Sequence, residues 1–162
     1  MKRVGIITAS DAGYKGERED LSGARIIEII EGFGYKKINY QILPDEQEML
    51  EEAMKKLADG GEVDLVLTTG GTGFSVRDCT PEATKNVIER EALGIPEAMR
   101  MMSMELTKRA MLTRGVAGIR KRTLIVNLPG SPKAVAECLE YILPELDHGL
   151  EILLGEANNC AR

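Results

Sequence analysis

The sequence predicts an α/β fold in which a mostly parallel sheet is covered by helices on both faces. Short apolar runs typical of strands alternate along the chain with longer segments whose apolar residues recur at helical spacing. Strands that alternate with helices favour parallel pairing, because crossover helices join them. With 162 residues, 43% of them hydrophobic, the chain has enough apolar bulk for a core on each face. We therefore expect one domain over residues 1–162, with a polar tail from about residue 156.

The first half of the chain alternates strands with helices. The predicted elements are strands at 4–8, 38–43 and 65–68, with helices at 22–33 and 46–57. Ser22 is expected to cap the first helix, because a serine hydroxyl can accept a hydrogen bond from a free amide of the first turn. The polar loop before it, over 9–21, is long for a connection between a strand and a helix, which is typical of a functional loop.

The second half continues the alternation. The predicted elements are helices near 81–90 and 95–108, strands at 116–119 and 123–127, a helix after Ser131, and a last helix from Pro144 to about Leu154. Ser131 and Pro132 are typical of an N-cap and a first helical residue. Five methionines between residues 99 and 111 have two interpretations, flexible core filling or a subunit interface.

Charge and hydropathy exclude several classes of protein. The net charge is −5, and basic residues do not cluster with aromatic ones, which argues against nucleic-acid binding. The basic segment 120–122 lies between two apolar runs and is predicted to be a solvated turn. No window has the roughly twenty apolar residues of a membrane span, and the N-terminal apolar run is too short for a signal-peptide core. We expect a cytoplasmic protein without membrane partners.

The scarcity of cysteine and histidine limits the possible chemistry. Cys79, Cys138 and Cys160 are far apart and form no C-x-x-C motif, so neither a zinc site nor a disulfide framework is predicted. His148 is the only histidine, which leaves almost no material for histidine ligands or Ser-His catalysis. Phosphoryl and nucleotidyl transfers fit this composition, because a phosphate nucleophile is already ionised near neutral pH.

The segment 68–84, TTGGTGFSVRDCTPEAT, is the most informative part of the chain. It follows an apolar strand, and its glycines allow the backbone to approach an anion closely. Arg77 offers a cation for phosphate, and Asp78 offers a carboxylate for a metal ion or a proton. Thr80 and Pro81 are expected to be the N-cap and the first residue of a helix whose N-terminus faces the same place. The alternative is a tight turn of purely structural origin, since the segment matches neither a P-loop nor G-x-G-x-x-G.

Polar residues follow the other predicted strands as well. In a doubly wound sheet the carboxyl ends of parallel strands share one edge, where ligands bind. We therefore expect a composite site from residues after the first, second, third and last strands of the parallel sheet. Asp45 and Asp78 together are plausible ligands for Mg²⁺, which typically takes one or two carboxylates with phosphates and water.

These segments together resemble the molybdenum-cofactor biosynthesis family, which includes molybdopterin adenylyltransferases and the G domain of gephyrin. The resemblance rests on Thr69–Gly73, Arg77-Asp78, Thr80–Thr84, Ser10-Asp11, Asp20–Gly23, Pro44–Glu46, Met111–Arg114 and Asn127–Ser131. It implies a three-layer α/β/α sandwich with a mostly parallel, Rossmann-like sheet that forms a homotrimer. The implied reaction joins AMP from Mg-ATP to molybdopterin and releases pyrophosphate. The product would pass to a molybdate-insertion enzyme.

The resemblance also implies roles for individual residues. Asp45 and Asp78 would be catalytic and would position Mg²⁺ and the α-phosphate. The residues expected to bind nucleotide or pterin are Ser10, Asp11, Asp20, Ser22, Gly23, Gly70, Gly71, Thr72, Gly73, Ser75, Arg77, Thr80, Pro129, Gly130 and Ser131. Cys79 departs from the family, in which valine often stands at this position.

Two other interpretations of the same motifs stay open. One is a relative of the same fold that binds molybdopterin with weak or different catalysis. The other is a trimeric scaffold module, although a scaffold would not need both Asp45 and Asp78.

Overall fold

In the computed structural model, which describes residues 1–157, strands and helices alternate along the chain. The strands are β1 (Arg3–Ala9), β2 (Lys36–Leu43), β3 (Leu65–Thr69), β4 (Arg90–Glu91), β5 (Ala117–Arg120) and β6 (Thr123–Leu128). The helices are α1 (Asp11–Tyr14), α2 (Leu21–Gly32), α3 (Gln47–Asp59), α4 (Thr80–Val87), α5 (Gly94–Met104) and α6 (Pro132–Leu154), with a 3-10 helix at Lys108–Leu112. Cys160 and most of the predicted polar tail lie outside the described residues.

The six strands form one sheet in the order β2-β1-β3-β6-β5-β4. The first four are mutually parallel, whereas β5 runs antiparallel to β6 and β4 antiparallel to β5. The antiparallel pair β5–β6 is joined by the short turn at Lys121 and Arg122, where Lys121 has a φ of 51°. The prediction of a mostly parallel α/β sheet is therefore confirmed. Of the basic segment 120–122, Lys121 and Arg122 form the predicted turn, whereas Arg120 ends β5.

Alternate residues of the sheet pack into two separate cores. Val4 and Ile6 of β1 face a cluster that contains apolar residues of α2, α5 and α6. Ile7 and Ala9 face the opposite cluster, which contains residues of α3 and α4. Because side chains alternate across a strand, one short strand supplies both cores and the molecule has three layers.

Several element boundaries differ from the sequence-based predictions. Asp20, rather than Ser22, caps α2, because the Ser22 hydroxyl is used in a contact with Gly130. Helix α6 continues through Pro144, where two helices were expected. Pro144 is exposed, and the buried apolar stripe of α6 continues past it.

The helix after the glycine segment is also shorter than predicted. It ends at Val87, and the next residues turn into the two-residue strand β4, which pairs with β5. Within the methionine-rich segment, Met99 is buried in the core, as core filling predicts, whereas Met101 and Met111 are exposed in this chain. No helix within residues 1–157 has the length and apolar character needed to cross a membrane.

Candidate functional site

The carboxyl ends of the four parallel strands lie along one edge of the sheet, here called the carboxyl edge. β1 and β3 are neighbours there, and the chain leaves them toward opposite sides, which is the position where open α/β sheets bind ligands. A cavity of about 530 Å³ opens at this point. Among its lining residues are Ser10, Asp20, Ser22, Gly70, Gly130 and Ser131, all of them predicted from the sequence.

Asp20 is a structural anchor on one wall of the cavity. Its Oδ1 accepts a hydrogen bond from the Gly23 amide at 2.8 Å, which caps α2. Its Oδ2 accepts hydrogen bonds from the Thr8 and Tyr40 hydroxyls, both at 2.6 Å. Burial and the neighbouring Asp20 carboxylate raise the pKa of Tyr40, so its hydroxyl stays a donor. Asp20 thus fixes the start of α2 against β1 and β2.

Hydrogen bonds from hydroxyl groups hold the opposite wall. The Ser22 hydroxyl donates to the Gly130 carbonyl at 2.7 Å, and the Thr69 hydroxyl donates to the Pro129 carbonyl at 2.7 Å. Ser131 caps α6 by accepting from the Ala134 amide at 3.2 Å. The N-termini of α2 and α6 therefore both border the cavity, an arrangement that favours negatively charged ligands.

Gly70 and Gly71 have backbone conformations that exclude side chains. Their φ angles are +87° and +68°, in the left-handed region. A Cβ on Gly70 would lie 2.3 Å from the Ala9 carbonyl oxygen. A Cβ on Gly71 would lie 2.4 Å from the Thr80 hydroxyl and 3.2 Å from Asp45 Oδ1. The glycine at 71 therefore keeps open the space beside the Asp45 carboxylate.

Thr80 holds the glycine loop to the start of α4. Its hydroxyl donates to the Gly70 carbonyl at 2.9 Å, and its amide donates to the Gly71 carbonyl at 3.2 Å. Because this hydroxyl is used across the loop, it does not cap the helix. The N-cap is Cys79, which makes no side-chain capping bond.

Asp45 and Asp11 bind each other through reciprocal hydrogen bonds. The Asp11 amide donates to Asp45 Oδ2 at 3.1 Å, and the Asp45 amide donates to Asp11 Oδ1 at 3.0 Å. The other carboxylate oxygen, Asp45 Oδ1, is buried and has no hydrogen-bond partner among the described residues. Burial, together with the charges of Asp11 and Asp78, raises the pKa of Asp45. A polar oxygen in this position is suited to bind a ligand or a cation.

Arg77 contacts carboxylates that follow two other strands. Its Nε and Nη2 donate to the two oxygens of Asp11, each at 3.0 Å, and Nη2 also donates to Glu46 at 2.8 Å. These bonds hold the pKa of the Asp11 carboxyl below its usual range. In this structure Arg77 connects the loops after β1, β2 and β3. That Arg77 binds phosphate stays a prediction.

Asp78 is held inside its own loop. Its Oδ2 accepts a hydrogen bond from the Ser75 amide at 3.0 Å, and its amide donates to the Ser75 carbonyl at 3.0 Å. A Cβ on Gly73 would approach Asp78 Oδ2 to 3.0 Å, so this glycine also lies tightly against the loop. Within residues 1–157, no three His, Cys, Asp or Glu side chains lie close enough together to form a metal site. A cation here would rely on two carboxylates with oxygen atoms from the substrate.

Some functional neighbours could not be identified from local sequence. Tyr40 donates to Asp20, and its position follows from strand pairing rather than from a motif. Arg114 bonds to the loop that carries Asp78. It belongs to the segment 111–114 that supported the family resemblance, but the sequence assigned it no role.

Comparison with known proteins identifies the family. The family described as "Probable molybdopterin binding domain" matches residues 5–148. The chain belongs to this family. The match begins within β1 and continues past β6, so it includes every loop at the carboxyl edge of the sheet.

Individual relatives agree with this membership. The chain is 43% identical over 154 residues to a molybdopterin adenylyltransferase of Helicobacter pylori strain J99, which covers 94% of this chain and 88% of the relative. It is 40% identical over 160 residues to gephyrin of Dictyostelium discoideum, covering 93% of this chain and 22% of gephyrin. The crystal structure of the molybdopterin biosynthesis enzyme MoaB from Thermus thermophilus superposes with a TM-score of 0.90 at 47% identity, covering 96% of this chain and 98% of that chain. The predicted resemblance to this family, including gephyrin, is confirmed.

Proposed function

We propose that this chain transfers AMP from ATP to the phosphate of molybdopterin, giving adenylylated molybdopterin and pyrophosphate. The observation that carries the proposal is the buried, unpartnered oxygen of Asp45, which lies beside Gly71 at the ligand-binding edge of the sheet. Family membership and the name of the Helicobacter pylori relative support this reaction over other phosphate chemistry.

The reaction needs positioning more than acid–base chemistry. The molybdopterin phosphate oxygen would attack the α-phosphorus of ATP. The new phosphorus–oxygen bond would form as the bond to the bridging oxygen breaks, and pyrophosphate would leave with that electron pair. Because the nucleophile is already an anion, no histidine base is required, in agreement with the single histidine of the chain. The main barrier is repulsion between anions, which the helix N-termini beside the cavity would reduce.

Asp45 and Asp78 are the residues that would hold Mg²⁺. The unpartnered Oδ1 of Asp45 and the nearby Asp78 fit an ion that takes one or two carboxylates and completes its shell with phosphates and water. When bound, Mg²⁺ would offset negative charge on the phosphates. Asp11 would orient Asp45 through the two reciprocal hydrogen bonds, so that Oδ1 stays beside Gly71.

The remaining expectations belong to the same proposal. A homotrimer would cover exposed apolar side chains of α5 and of the 3-10 helix. Met101 on α5 is 74% exposed, and Met111 on the 3-10 helix is 59% exposed. The proposed reaction also implies a cytoplasmic location and a downstream enzyme that inserts molybdate into the adenylylated product. Light scattering of the purified protein would measure the mass of the assembly and test the trimer.

The assay for this function is pyrophosphate release from Mg-ATP and molybdopterin. We expect turnover by the natural sequence and none by Asp78→Asn, while molybdopterin binding by this variant is retained. Asp59→Asn is a matched control, because Asp59 lies at the end of α3, at the edge of the sheet opposite the carboxyl edge, and contacts Arg120 and Lys121.

Three outcomes would contradict the proposal. Full turnover by Asp78→Asn would remove that residue from catalysis. Saturable molybdopterin binding by the natural sequence without turnover would favour the pterin-binding alternative. Absence of binding to either substrate would favour the scaffold.

A further inference from the structure

Arg114 connects two distant parts of the chain at the candidate site. It lies between the 3-10 helix and β5, 36 residues after Asp78. We infer that Arg114 is a positioning residue that fixes the loop 72–78 and thereby the location of Asp78. The part of this inference that concerns turnover rests on the function proposed above.

The contacts of Arg114 span the whole loop. Its backbone amide donates to the Thr72 carbonyl at 2.8 Å. Its guanidinium donates through Nε to the Gly73 carbonyl at 2.7 Å and through Nη2 to the Asp78 carbonyl at 3.1 Å. The remaining nitrogen, Nη1, pairs with Glu82 in the first turn of α4. One side chain therefore joins the beginning of the loop, its end and the helix that follows.

The loop depends on these bonds because its tip does not pack into the core. Phe74 is 72% exposed and Val76 is fully exposed. Inside the loop, Asp78 and Ser75 bond to each other, which shapes the turn without attaching it to the rest of the molecule. With little apolar burial, the position of the loop relative to Asp45 is set by polar bonds. Arg114 makes such bonds at both ends of the loop, and Arg77 adds bonds to Asp11 and Glu46.

Arg114 is itself held in place from the other side. The Arg100 guanidinium donates to the carbonyls of Thr113 at 3.4 Å and Gly115 at 3.1 Å, the residues on either side of Arg114. The backbone from which the Arg114 side chain projects is therefore anchored to α5. A fixed backbone and a planar guanidinium with several donors together make a rigid connection.

Lysine could not replace this connection. An ammonium group carries one compact set of donors, whereas the Arg114 fork reaches two carbonyls and a carboxylate in different directions. Loss of the fork would leave the charge in place and release one end of the loop. Misplacement of a catalytic group by about 1 Å costs on the order of 10²-fold in rate.

Two variants and a control test the inference. Arg114→Lys preserves the charge, Arg114→Ala removes it, and Arg120→Lys changes an arginine that bonds to Asp59 and a carbonyl far from the site. We expect kcat for pyrophosphate release to fall about 10²-fold in Arg114→Lys, while KM for ATP changes less than about 3-fold. Arg120→Lys should leave both constants unchanged. If Arg114→Ala does not fold, Arg114→Lys still carries the test.

Amide hydrogen exchange without substrates gives an independent measurement. The Ser75 and Asp78 amides, which bond within the loop, should exchange at least about 10-fold faster in Arg114→Lys than in the natural sequence, with little change elsewhere. Unchanged exchange at these amides would overturn the inference, as would unchanged kcat or a rise in KM alone. If the natural sequence shows no adenylyl transfer, the proposed function fails, and the exchange rates still decide whether Arg114 holds the loop.

Discussion

The aspartates at the two edges of the sheet differ in their partners: one at the carboxyl edge has an unpartnered oxygen, whereas those at the opposite edge are paired with cations. At the carboxyl edge, Asp45 has one bonded and one unpartnered oxygen, and burial raises its pKa. At the opposite edge, Asp59 accepts hydrogen bonds from Arg120 Nε and Nη2 at 2.9 and 2.8 Å and pairs with Lys121 at 3.0 Å. These cations lower the pKa of Asp59 to about 2.

A second carboxylate at the opposite edge has the same character. Asp64 is 4% exposed and accepts three hydrogen bonds from Arg3, two of them through the guanidinium at 2.7 and 3.1 Å. Burial alone would raise its pKa, but the Arg3 contacts outweigh burial and lower it. Paired carboxylates stabilise the fold, whereas a carboxylate kept open for a ligand costs stability. This difference distinguishes the candidate site from the carboxylates that only stabilise the fold.

Positive-φ glycines at the two edges should give the largest contrast. Gly71 has a φ of +68° and no space for a Cβ, whereas Gly61 at the opposite edge has a φ of +70° and open space. Gly71→Ala should reduce kcat/KM for pyrophosphate release by about 10²-fold, because it displaces Thr80 or the loop beside Asp45. Gly61→Ala should cost about 1 kcal/mol of unfolding free energy through backbone strain alone, with activity unchanged.

Steady-state kinetics and urea unfolding of both glycine variants make this comparison. Equal activity in the two variants would remove the functional distinction between the edges.

Removal of a paired carboxylate should affect stability and leave turnover intact. Asp64→Ala breaks all three hydrogen bonds with Arg3 and leaves an unpaired cation that is partly exposed. We expect a loss of about 2 kcal/mol in the free energy of unfolding, less than for a fully buried pair because water reaches Arg3. Urea denaturation measures it, and a loss of kcat in folded protein would contradict the assignment of Asp64 to the scaffold.

The smallest effect is a pH dependence that has opposite signs at the two edges. The pKa of Asp59 is lowered from 3.8 to about 2, so its stabilisation is present above pH 3.8 and disappears as pH falls toward 2. The pKa of Asp45 is raised above 3.8, so its ionisation destabilises the fold as pH rises through that raised value.

Thermal unfolding of two variants from pH 2 to 7 tests these signs. Asp59→Asn should become less stable than the natural sequence as pH rises, and Asp45→Asn should become more stable. Parallel curves for the two variants would refute the electrostatic contrast.

The apolar pattern was sufficient to predict the order of elements and the parallel sheet. It failed where a distant contact or solvent exposure decided the outcome. Ser22 does not cap α2 because Gly130 lies next to it in the fold, and Pro144 does not end α6 because it faces water. Strand β4 has only two polar residues and no periodicity of its own; pairing with β5 defines it.

The edge of the sheet at which the candidate residues lie could be predicted from the sequence, but their hydrogen-bond partners could not. Parallel strands place their ends together, so residues after β1, β2, β3 and β6 could be assigned to one edge. Arg77 bonds to Asp11, 66 residues away along the chain, and Arg114 bonds to Gly73, 41 residues away, and no local pattern reports such distances. The open oxygen of Asp45 is likewise visible only when every neighbouring donor has been placed.

The most direct test replaces Asp45 by asparagine and measures activity and stability in the same sample. The side-chain oxygen of asparagine can still accept the hydrogen bond from the Asp11 amide. Its NH₂ group replaces the other carboxylate oxygen, so the side chain carries no charge. We expect pyrophosphate release to fall by at least about 10³-fold and the free energy of unfolding at pH 7 to rise by about 1 kcal/mol. Normal turnover by Asp45→Asn, or loss of turnover together with loss of stability, would contradict the account of this edge as an open site.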